Sequence, residues 1–184
     1  MLGQAQTSRR ALARLTGVQC AIGFPAGWRS IINRSAAPPT AGDIPLPDAD
    51  FTDAYSVHVA EPLDALEAAR RMVERRPRWV DGLLALRNLA VTPFGLRRGA
   101  PAGAKRIGIF PVVSASPDRV VMGFDDAHLD FRVVVEVTPD DDGQRVMATT
   151  LVRTRNRLGR LYLAAVKPFH RVIVPAMLAQ VGRK

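Results

Sequence analysis

A single cysteine, Cys20, in 184 residues excludes an internal disulfide and any metal site built from several thiolates. Histidine is almost as scarce. His58, His128 and His170 stand far apart, without the short spacing that lets two imidazoles share a zinc ion. No metal and no cofactor is expected. Aromatic residues make up only 6% of the chain and are not interleaved with its basic residues as stacking platforms, so nucleic acid is not an expected partner. No stretch reads as long and apolar enough to span a membrane. No nucleophile elbow, phosphate loop or metal spacing is present, which leaves no specific enzyme class.

Acid is missing from both ends. Residues 1–42 hold five arginines and no Asp or Glu, and residues 143–184 hold nine basic residues and no acid. All seventeen acidic residues therefore lie in the middle, against twelve basic ones, although the chain as a whole is +9. Such a division is read first as a solvated basic face, and otherwise as attraction of the end to the middle or to an anionic partner.

What is present is the material of one soluble α+β domain. An apolar fraction of 47% and a length of 184 residues suffice for one core. Residues 1–48 read as a basic extension, closed by a stiff linker at Pro38, Pro39, Pro45 and Pro47. The Arg9-Arg10 pair does not make an export signal, because Arg14, Pro25, Gly27 and Arg29 interrupt the apolar stretch after it. The domain occupies residues 49–184 and reads as cytoplasmic.

Phe51–Val59 is aromatic and β-branched, which predicts a strand. Glu61-Pro62 opens a helix with Leu63, Leu66, Ala69 and Val73 on its apolar stripe, and a second helix runs from Trp79 to Leu89. Four strands follow at 106–113, 119–124, 129–138 and 145–155, joined by polar turns at 116–118, 125–126 and 139–143. Short turns of this kind imply an antiparallel sheet. In the third of these strands Leu129, Phe131, Val133, Val135 and Val137 share one face. His128, Asp130, Arg132 and Glu136 share the other, which predicts an outward ion-pair ladder. Asn156 is placed to cap a final helix reaching Val181, with Leu158, Tyr162, Ala165, Phe169, Ile173 and Ala176 on its buried side. Pro168 and Pro175 should kink or split it.

This β-α-α-β-β-β-β-α order resembles the helix-grip architecture of START and polyketide-cyclase-like (SRPBCC) proteins. Residues 49–181 more closely resemble a bacterial family, the domain of unknown function 2867. The resemblance is carried by Ala49–Ala54, Trp79–Asn88, Phe94-Gly-Leu96, His128–Arg132, Asn156–Leu163 and Pro168–Val174. It implies a curved antiparallel sheet gripping the C-terminal helix, with a hydrophobic small molecule held between them.

Three functions are compatible with these residues. A binding domain would line its cavity with Tyr55, Trp79, Arg87, Phe131, Tyr162 and Phe169. An enzyme of cyclase or hydratase type would use His128 as proton carrier, Asp130 to orient it, and Tyr162. An interaction module would offer its acid-free C-terminus to an anionic partner. His170 reads as a satisfied histidine at the border of the helix stripe. Arg160 and Arg171 read as partners of Asp125, Asp126 or Asp130.

Overall fold

A computed structural model of the chain describes residues 32–35, 44–83 and 105–183. Its centre is an antiparallel sheet of seven strands: β1 (Ile32–Ser35), β2 (Phe51–Val59), β3 (Arg106–Ile107), β4 (Phe110–Ala115), β5 (Arg119–Asp125), β6 (Leu129–Asp140) and β7 (Gly143–Thr154). The spatial order is β1-β2-β7-β6-β5-β4-β3. Helix α1 (Ala65–Glu74), a helical segment α2 (residues 78–83) and the long helix α3 (Arg157–Leu178) complete it. The curved sheet grips α3, as the α+β reading of the sequence expects.

Turn chemistry sets the strand order. Between β4 and β5 the Ser116 hydroxyl donates to Asp118 at 2.6 Å, while the Ser116 amide donates to the Arg119 carbonyl at 2.7 Å. Between β5 and β6 the Asp126 amide reaches the Leu129 carbonyl at 2.9 Å. The single strand expected over 106–113 is instead a tight hairpin of β3 and β4. Gly108 turns the chain there with φ of 57°, a conformation that disfavours a Cβ. β1 lies within the stretch read as an extension, where it pairs with β2. Leu46 also lies there and is buried against the sheet.

Pairing register builds the core in rows. Tyr55, Ala148, Val135 and Val120 are successive cross-strand partners, and all four are buried in one cluster. Val57, Val146 and Val137 form the next row. Full burial of each such aliphatic side chain is worth about 1.5–3 kcal/mol relative to exposure. Helix α1 covers this face with Ala65, Ala68, Ala69, Met72 and Val73. Its N-cap is Asp64, which accepts from the Glu67 amide at 2.6 Å, so the helix proper starts three residues after Pro62.

The second face of the sheet is not simply wet. Leu46, Val121, Val134 and Leu151 form a separate buried cluster on it. Helix α3 begins where the sequence places it, with the Asn156 side chain accepting from the Gly159 amide at 2.9 Å. Pro168 and Pro175 lie inside it without splitting it. Contrary to the reading of the sequence, α3 is long and apolar enough by composition to cross a membrane, with 28% of that window buried. Here it closes the concave side of the sheet, packing on β2, β7 and α1.

Candidate functional site

Between the concave sheet face and α3 lies a cavity of about 200 Å3. Its sheet side is aromatic and aliphatic: Phe51 from β2, Phe110 from β4, Phe124 from β5, and Leu129, Phe131 and Val133 from β6. Phe131 stands between Phe110 and Phe124, with ring centroids 5.8 Å and 5.6 Å away in tilted contact. Met72 and Val73 of α1, with Arg76 just beyond its end, close one side, and Tyr162, Leu163, Val166, Lys167, His170 and Ile173 of α3 form the roof.

A few polar groups interrupt this lining. His128 is only 3% exposed, and its ring stands edge-on to Tyr162 at 5.9 Å between centroids. Its Nδ1 lies 3.5 Å from the Asp126 carboxylate, yet without hydrogen-bond geometry, so this buried nitrogen has no hydrogen-bond partner among the described residues. His170 packs edge-on to Phe51 at 5.6 Å, and its Nε2 is likewise buried without a hydrogen-bond partner. Burial lowers the His170 pKa, and the Asp53 charge offsets this only in part, so the imidazole is neutral near pH 7. Lys167 holds its ammonium 5.0 Å above the same Phe51 ring, a cation–π contact. Thr150 contributes the remaining polar side chain of the sheet side.

The residues singled out from sequence are only partly brought together. His128, Phe131 and Tyr162 line the cavity. His128 therefore faces inward, against its expected place in an outward ladder. It precedes the first residue of β6, so strict alternation does not govern its side chain. Asp130 does lie on the far face, fully buried, and cannot orient His128. Arg153 donates to it at 2.9 and 2.7 Å and Arg155 at 2.8 Å. Its partners are thus arginines at the end of β7 and just beyond it, not Arg160 or Arg171 of α3. Burial alone would raise the Asp130 pKa; the hydrogen bonds and charges of Arg155 and Arg153 outweigh it and hold the carboxyl below its ordinary value.

Tyr55 is buried in the core row below the cavity, where its hydroxyl donates to Asp53 at 3.0 Å. Trp79, on α2, is 44% exposed and lies off the cavity. Arg87 falls outside the described residues. Phe169 is 48% exposed and does not line the cavity. Of the expected stripe on α3, Ala176 is buried and Tyr162 and Ile173 line the cavity, whereas Ala165 and Phe169 are exposed; Gly159, Leu163, Val174 and Met177 are the further buried residues of that side, with Val166 and His170 beside them. Phe51, Phe110, Phe124, Thr150, Lys167 and His170 were not singled out as lining residues. Phe51 and Thr150 share face parity with Tyr55 and Val152, a signal that becomes usable only once strand register is known.

Among the described residues, no three His, Cys, Asp or Glu side chains are grouped to hold a metal ion. A model described as "Protein of unknown function (DUF2867)" matches residues 45–177. The chain belongs to the DUF2867 family. Among solved structures, this DUF2867 protein is similar to CalU16 from Micromonospora echinospora at 15% identity and a TM-score of 0.37, over 83% of this chain and 92% of that one. No curated protein matches it.

Proposed function

We propose that this DUF2867 protein binds a hydrophobic small molecule between its sheet and α3, in the manner of helix-grip domains. The observation that carries this reading is the cavity itself, with Phe51, Phe110, Phe124 and Phe131 on one side and a few separated polar groups. Ligand sites have this make-up: apolar walls for affinity and sparse polar atoms for orientation. At about 200 Å3 the cavity is smaller than the roughly 300–1,000 Å3 typical of drug-sized ligands, so the ligand is compact. Native mass spectrometry of freshly purified protein should show a retained small molecule, and Val133→Phe, which fills the space, should lose it. A protein that carries no adduct and does not bind the apolar dye ANS would overturn the proposal.

One observation favours a second reading. His128 and Tyr162 face each other inside the same cavity, where an imidazole and a phenol could exchange protons with a bound molecule. A hydratase-type reaction would then be carried by His128 as base and Tyr162 as acid. Under this reading the His128→Gln variant retains a molecule that differs by one water from that in the wild type. Identical masses in the two proteins would leave binding alone.

A further inference from the structure

Helix α3 has two apolar faces. One roofs the cavity through Leu163, Val166, His170 and Ile173. On the opposite side, at helical spacing, stand Leu161, Ala165, Pro168, Phe169 and Val172; Leu161 is 70% exposed and Phe169 48%. This outer stripe covers roughly 16 Å of helix. Arg157, Arg160 and Arg171 run along one edge of it, all exposed. No acid occurs anywhere in residues 143–184.

An exposed apolar stripe edged by arginine is the make-up of a helix lying in a membrane interface. Charge decides between possible occupants. Two copies joined antiparallel through this stripe would set arginine edge against arginine edge. Residues 1–42 of the chain, with five arginines and no acid, offer no complement either. An anionic bilayer does, because its surface attracts each arginine while its acyl boundary accepts Leu161 and Phe169. We infer that the outer face of α3 docks this protein flat on anionic phospholipid membranes. The helix lies along the surface and not across it, because its inner face is committed to the sheet. The inference does not depend on what the cavity holds.

Co-sedimentation of the full chain with vesicles tests this. Wild-type protein should sediment with phosphatidylcholine vesicles containing phosphatidylglycerol and not with phosphatidylcholine alone. Raising salt from about 0.05 M to about 0.5 M should release it. The double variant Leu161→Glu/Phe169→Glu should bind at least roughly tenfold more weakly while keeping its circular-dichroism melting profile, since both side chains are solvent-facing. Arg160→Gln/Arg171→Gln should also bind more weakly and lose most of the salt dependence. Three results would overturn the inference: no sedimentation with the anionic vesicles at low salt, unchanged binding by the Glu variant, or wild-type dimers that the Glu variant converts to monomers without any vesicle binding.

Discussion

Asp130 and His128 are two residues apart in sequence yet serve opposite sides of the sheet. Asp130 is fully buried between the guanidinium groups of Arg153 and Arg155, whose outer portions remain in water. Removing the carboxylate leaves two arginines that can still be hydrated, so Asp130→Ala should cost about 1–3 kcal/mol, the range for losing charged hydrogen bonds, and less than an orphaned buried charge. Its pH dependence has a definite sign. Because the folded pKa lies below the unfolded value, the stabilisation is complete above about pH 4 and is lost as pH falls through the folded pKa. Urea titrations of wild type and Asp130→Ala should therefore converge in acid; a constant gap down to low pH would refute the pairing. His170 titrates in a higher window. Its folded pKa is also lowered, here by burial, so its contribution is present above about pH 6.5 and fades as pH falls. His170→Phe should flatten the stability profile between neutral and mildly acidic pH, and an unaltered slope would count against a buried neutral imidazole.

Helix α3 shows at the scale of an element what the sequence can and cannot disclose. Its start was legible, because Asn156 is a capping residue and meets the Gly159 amide as a cap should. Its face was not. Leucine, alanine, valine and aromatic residues occur all round the helix, so a periodic stripe can be drawn through Leu158, Tyr162 and Phe169 as readily as through Leu163 and Val166. The deciding contact is long-range. The first turn of α3 is pressed against the end of the β5–β6 turn, and a Cβ on Gly159 would collide with the His128 carbonyl. The Arg155 amide also donates to that carbonyl at 2.9 Å, which fixes the approach. Helix propensity alone favours Gly→Ala by up to about 1 kcal/mol. Overpacking against rigid backbone costs about 1–3 kcal/mol, so here Gly159→Ala should destabilise on balance. Thermal unfolding reads the sign directly: a stabilised variant would mean that α3 can lift from β6 freely. Strands were more legible than the helix face, since Ser116, Asp118, Asp126 and the Asp140–Gly143 turn mark their ends locally. The exceptions were β1, a short edge strand without a strong pattern, and the β3–β4 hairpin, which turns on Gly108 alone.

At the scale of the molecule, the acidic middle and basic end are joined mainly through the sheet. Asp130 pairs with Arg153 and Arg155, and Asp50 accepts from the Thr154 amide and hydroxyl at 2.6 and 2.7 Å. Of the arginines on α3, Arg160 also feels the Asp50 charge, while Arg157 and Arg171 are exposed, and the concave face is left to the cavity. A dry void of about 200 Å3 would cost on the order of 5 kcal/mol at about 24 cal/mol per Å3. Such a cost is comparable with the whole stability of a small domain, about 5–15 kcal/mol. Water beside His128, Thr150 and Lys167, or a ligand along the phenylalanine wall, would each remove that cost. These two cases differ in a measurable way. Water binds folded protein at constant activity, whereas a ligand present at about a hundred times its Kd adds about 2.7 kcal/mol. For a domain of this size each kcal/mol moves the melting temperature by about 2–4 °C. Protein stripped of small molecules by unfolding in denaturant, organic extraction and refolding should then melt roughly 5–10 °C below freshly purified protein and recover when the extract is returned. Equal melting temperatures before and after extraction would assign the cavity to water.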